Sequence, residues 1–124
     1  MVAPSSDPAG PSAAETALLR TGFFLEVDDL EDSVVLRLSG ELDMAAAPAV
    51  QAGLADALAG EAAAVILDLA DLTFIDSTGI SLFLSGSRQA ADQGRAFRLR
   101  HPTGTVLRVL RIIGVDRLLD IETD

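Results

Sequence analysis

The tetrapeptide Asp76-Ser77-Thr78-Gly79 sets a serine hydroxyl beside a carboxylate, the pairing in this chain best suited to accept or lose a charged group. It follows an apolar run ending at Ile75. Beyond it Ile80, Phe83, Leu84, Ser87 and Ala91 share one helical face, so Ser77 is predicted at a helix N-terminus, projecting from a rigid scaffold. A phosphate on that hydroxyl would meet unpaired backbone N–H groups and the positive end of the helix dipole. Gly79 removes a side chain beside the hydroxyl and leaves room for an enzyme to approach. Ser81, Ser85 and Arg88 continue from Ser77 at helical spacing, with Leu82 flanking, a stripe of small residues on which a partner helix fits. The plainer reading of the same letters is a helix cap, because Asp, Ser and Thr all satisfy helix-start amides.

Other chemistries fall away. An aspartic protease needs D-T-G or D-S-G, and here Thr78 separates Ser77 from Gly79. A serine hydrolase needs a base and a G-x-S-x-G elbow, yet His101 is the only histidine and sits beside Pro102, where it reads as a turn residue. With no cysteine and one histidine, neither disulfides, thiolate zinc sites nor imidazole-rich metal sites are expected, and no cofactor is implied. All nine basic residues are arginines, so Schiff-base and phosphate-loop lysine chemistry are excluded as well. The net charge of −10 argues against nucleic acid and anionic membrane surfaces as partners. Seven of the arginines lie between Arg88 and Arg117, against only Asp92 and Asp116, but they alternate with apolar positions and read first as a solvated face.

The elements that must hold Ser77 follow from periodicity. A chain of 124 residues fits one domain. Residues 1–20 are small and polar with three prolines, predicting a flexible tail before a domain over 21–124. No apolar run approaches a membrane span and the start lacks a secretory pattern, so a soluble, cytoplasmic protein is expected. Phe23–Val27 and Val34–Leu38 predict a hairpin whose turn holds Asp28, Asp29, Glu31 and Asp32. Asp43 is placed to cap a helix burying Val50, Leu54, Ala57 and Leu58, and Gly60 to end it. Val65–Leu69 predicts a strand covered on both faces, with a loop leading from it to Ser77. Gly94 stops the Ser77 helix, Phe97 and Leu99 alternate with arginines in a further strand, and a last helix buries Val106, Val109, Leu110 and Ile113 before Gly114. The order gives an α/β fold, a mixed sheet with an N-terminal hairpin followed by alternating helices and strands.

Three blocks in order carry a family resemblance: Gly40-Glu41-Leu42-Asp43, then Asp68-Leu69 with Asp71 through Ile80, then Val106 through Val115. They resemble the STAS-domain anti-sigma factor antagonists, over Phe23 to Ile121. The resemblance implies a regulator and not an enzyme, whose unphosphorylated form binds an anti-sigma factor and releases a sigma factor. It implies a partner with a histidine-kinase-like ATPase fold, acting as a serine kinase, and a PP2C-type phosphatase that reverses it. Ser77 matches the phosphorylated serine, with Thr78 second to it. Asp76 matches the motif aspartate, and Asp43 an acidic position near the phosphorylation site. Asp43, Asp76, Ser77, Thr78, Gly79, Ser81, Leu82 and Ser85 make up the implied partner-binding set, with Glu41 a surface residue first. Ser81 stands where family members often have glycine, and the long tail is also unlike them. Two other roles fit the same fold: a scaffold of a larger sensory assembly, or a module binding a small ligand or nucleotide.

Overall fold

The computed structural model describes residues 22–123, so the predicted tail over 1–20 lies outside the described residues. Strands β1 (Phe23–Asp29) and β2 (Ser33–Leu42) form the expected antiparallel hairpin. Its turn is tighter than the run of acids suggested: Asp28 and Asp29 pair with Val35 and Val34 inside the ladder, leaving Leu30, Glu31 and Asp32 to turn the chain. Gly40 sits at φ 93°, where a Cβ would fall 1.7 Å from the Gly22 carbonyl oxygen, which accepts the Glu41 N–H. Only glycine lets the chain entering β1 lie this close to β2.

Helix α1 (Ala47–Ala59), strand β3 (Ala64–Ile75), helix α2 (Ser77–Asp92), strand β4 (Ala96–Arg100), helix α3 (Gly104–Ile113), a 3-10 turn (Val115–Arg117) and strand β5 (Asp120–Glu122) complete the chain. The sheet order is β1-β2-β3-β4-β5, with β2 through β5 mutually parallel. Strands Leu36, Leu67 and Leu99 share one cluster with Val50 and Leu54 of α1, Phe83 and Ala90 of α2, and Val106 and Leu110 of α3. The alternate positions carry charge: Arg37 bonds Asp28, Arg98 bonds Asp120 at 3.2 Å and Arg100 bonds Asp68 at 3.3 Å, each across neighbouring strands. The Asp28 carboxylate also raises the Arg37 pKa above its ordinary value, through the hydrogen bond first and charge attraction second.

Four expectations are corrected. Helix α1 begins at Ala47 behind an uncapped Ala46, so Asp43 is not its N-cap. Strand β3 does not stop at Leu69 but runs to Ile75, and its end replaces the predicted loop. On α2 the buried face is Gly79, Ile80, Phe83, Gly86 and Ala90; Ala91 is exposed, and Leu84 and Ser87 are only half-buried. The helix lies so close to β4 that a Cβ on Gly86 would stand 2.9 Å from the Phe97 ring, so the contact is lined by a glycine that the expected face did not include. On α3, Val106 and Leu110 are buried and Val109 half-buried, whereas Ile113 at the last turn is 55% exposed. Among the described residues no helix is long and apolar enough to cross a membrane.

Candidate functional site

Strands β2 and β3 run parallel and end side by side, with Leu42 paired to Ile75 and the Asp76 N–H donating to the Leu42 carbonyl at 3.2 Å. The residues that follow, Asp43 and Asp76, therefore leave the sheet as neighbours although 33 positions separate them in sequence. This is the crevice at the carboxyl ends of parallel strands where ligands and partners commonly meet an α/β sheet.

Each aspartate closes its strand with the same bonds. Asp76 Oδ1 accepts the Thr78 and Gly79 amides at 3.0 and 3.1 Å, and Asp43 Oδ1 accepts the Ala45 and Ala46 amides at 3.0 and 3.1 Å. Asp76 is thus the true N-cap of α2, an interaction worth about 1 kcal/mol. Asp43 instead ties a single turn, completed by its own carbonyl accepting the Ala46 and Ala47 amides, before α1 begins.

Ser77 is the first residue of α2 and is exposed, whereas Thr78 is half-buried. The accessible hydroxyl is therefore that of Ser77. The anion site behind it is smaller than expected, because the Asp76 side chain already occupies two of the helix-start amides. A phosphate on Ser77 would keep the helix dipole but compete with a carboxylate for the amides. The residues of the first helical turn, Ser77 to Ile80, include no base, so no arginine of that turn neutralises it.

Gly79 has a different task from the one expected. It is buried, and a Cβ there would fall 2.8 Å from Ile75 Cγ1 and 2.9 Å from Leu42 Cδ2 and Cγ. It opens no path to the hydroxyl; it lets the start of α2 sit directly on the ends of β2 and β3. Ser81 and Ser85 do lie exposed along the same helix, as expected. Leu82 is half-buried and, with Ser85, Gln51 and Leu54, lines a cleft of about 130 Å³ between α1 and α2.

Two residues at this end escaped sequence reasoning. Met44, next to Asp43, is 74% exposed, and Phe74, which pairs with Glu41 two residues before Asp76, is 42% exposed. Large apolar side chains held in water beside a polar centre are the usual anchors of a protein interface. The available signal was a methionine in a turn, flanked by a strand end on one side and alanines on the other.

The mixed sheet, the N-terminal hairpin and the helices that alternate with the parallel strands define an α/β module of known type. The family model described as "Mlab, STAS domain" matches residues 25–120, and the chain belongs to the STAS-domain family. It is 35% identical over 86 residues to the anti-sigma F factor antagonist of Lysinibacillus sphaericus, covering 68% of this chain and 73% of that protein. It is 27% identical over 97 residues to the anti-sigma-B factor antagonist of Bacillus subtilis (strain 168), covering 78% of this chain and 88% of that protein. Among solved structures it resembles the anti-sigma factor antagonist SpoIIAA in its unphosphorylated form, with a TM-score of 0.69, 27% identity, and coverage of 81% of this chain and 89% of that one. The phosphorylated form of the Bacillus protein SpoIIAA matches with a TM-score of 0.64 and 26% identity, over 81% of this chain and 92% of that one.

Proposed function

We propose that this chain is an anti-sigma factor antagonist controlled by phosphorylation of Ser77. In the unphosphorylated state it binds an anti-sigma factor and frees a sigma factor. The partner is an ATPase of histidine-kinase-like fold that acts as a serine kinase, and a PP2C-type phosphatase restores the binding form. The chain itself is a cytoplasmic regulator that catalyses nothing and engages neither nucleic acid nor membrane. The names of both curated relatives, and the two phosphorylation states of SpoIIAA, support this reading.

The observation that carries it is the placement of an exposed Ser77 at the first position of α2, held by the Asp76 cap, with Met44 and Phe74 exposed at the same end of the sheet. Met44 and Phe74 supply apolar area, and Ser77, Ser81 and Ser85 a smooth helix face for a partner to cover. Kinase action moves the γ-phosphoryl group of ATP to Ser77 Oγ; the hydroxyl proton passes to a base on the kinase and ADP leaves. The product carries about −1.5 to −2 extra charge beside Asp76. Enclosing that charge in an interface without a cationic partner costs several kcal/mol, so the complex dissociates.

Unmodified, Ser77→Ala and Ser77→Asp proteins used as baits in the native lysate test the reading. A small histidine-kinase-like ATPase enriched on the first two and depleted on the third is the expected result. Capture of the same proteins by all three baits would leave Ser77 as no more than the first residue of α2, and favour the scaffold or ligand-binding role.

A further inference from the structure

Helix α3 and the turn after it hold apolar side chains in water that the core does not take up. On α3 Val106 and Leu110 belong to the core, and Arg108 and Ile112, four residues apart, share the opposite face. Gly114 ends the helix in the left-handed conformation, and the 3-10 turn that follows is anchored by the buried Val115 and Leu119. Leu118 is thereby kept outside. Ile112 is 76% and Leu118 70% exposed, and with Met44 they are the most exposed large apolar side chains among the described residues.

The charge around them is balanced. Residues 104–123 hold three arginines, Arg108, Arg111 and Arg117, and three acids, Asp116, Asp120 and Glu122, so the whole net charge of −10 lies elsewhere in the chain. Asp120 is engaged by Arg98. Arg108 and Asp116 are exposed and make no ion pair, with each other or with any described residue. They stand four positions before and four positions after Ile112.

This surface is its own complement. A partner of a single sign would satisfy one of the two charges and oppose the other, whereas a second copy turned about a two-fold axis offers both in reverse order. An axis at Ile112 carries the position four places before it toward the position four places after it on the other copy. Two chains of this net charge also repel least through a neutral face. We infer that α3 and the 3-10 turn form a two-fold contact between copies of this chain, in which Ile112 meets the partner's Ile112 beside Leu118, and Arg108 meets the partner's Asp116. Exposed ion pairs contribute little by themselves, so the apolar centre drives association and the charges fix its orientation. The contact uses the same patch on each copy, so assembly closes at the dimer. Few side chains take part, which makes it weak and concentration-dependent. Met44, Phe74 and Ser77 are not part of it, so it stands apart from the proposed function.

Sedimentation equilibrium of the full chain at physiological salt, up to about 1 mM protein, tests this. Circular dichroism confirms that each variant folds. The native chain is expected to rise in average mass with concentration and level off at the dimer, and Ile112→Ser to remain monomeric. Arg108→Glu sets a carboxylate against the partner's Asp116, and Asp116→Arg sets a guanidinium against the partner's Arg108, so each weakens association about tenfold or more. An equimolar mixture of these two variants restores both attractions in the mixed pair, and dimer returns. Asp116→Arg separates local pairing from net charge, because it makes the chain less negative and would strengthen association if overall repulsion alone mattered. A native chain that stays monomeric leaves the patch to a different protein and overturns the inference. So does a mass that climbs past the dimer, an Asp116→Arg variant that associates as well as the native chain, or a mixture no more associated than its components.

Discussion

Asp43 and Asp76 end adjacent parallel strands with the same device, one carboxylate oxygen accepting the amides two and three residues ahead, yet the two ends do different work. After Asp76 the helix starts at once and its first residue is an exposed serine. After Asp43 the helix waits for a turn, and the exposed residue is Met44. The decisive difference is three residues beyond each aspartate. Gly79 lets α2 rest on Leu42 and Ile75, whereas Ala46 is buried with its methyl group accommodated. One strand end presents an exposed serine at the first helical position and the other an exposed methionine, and the proposed function has one partner cover both.

The sharpest way to break the comparison is to make the two ends alike at that third position. Gly79→Ala forces a methyl group into contacts of 2.8 to 2.9 Å with Ile75 and Leu42, an overpacking that costs about 1–3 kcal/mol in urea unfolding. A variant as stable as the native chain would show that α2 is free to lift away. Removing the caps comes next. Asp76→Ala loses the N-cap of a 16-residue helix and about 1 kcal/mol, while Asp43→Ala, which caps only a turn, loses about half as much in the same measurement. Equal losses would show that the two carboxylates carry the same load. Met44→Ala has the smallest effect on stability, within about 0.5 kcal/mol for an exposed side chain, but weakens partner binding roughly tenfold. Unchanged binding in surface plasmon resonance would remove Met44 from the interface.

Much of this site was legible in the sequence. The Asp76 cap, the Ser77 position, and the stops at Gly94 and Gly114 follow from local chemistry, and Gly114 adopts the left-handed conformation expected of a helix end, at φ 87°. What local patterns could not show is the length of β3. Its buried residues Leu69, Leu72 and Ile75 recur every three positions and not every two. The cause is two register shifts against β2: Arg37 to Ser39 spans Asp68 to Asp71, and Gly40 to Glu41 spans Leu72 to Phe74, each adding a residue to β3. A period-two reading therefore ends the strand early, and with it loses sight of Phe74. The α2 face was misjudged for a related reason, since its closest contacts are made by glycines whose value lies in what they lack. Arg98 and Arg100 looked like a solvated face, and their partners Asp120 and Asp68 come from other strands.

The central claim is that charge on Ser77 decides whether the partner binds. Its most direct test is calorimetric titration of the captured anti-sigma factor into the unmodified protein and into protein phosphorylated on Ser77. The predicted result is a loss of about 3 kcal/mol or more on phosphorylation, roughly a hundredfold or greater weakening. Equal affinities for the two forms would contradict it.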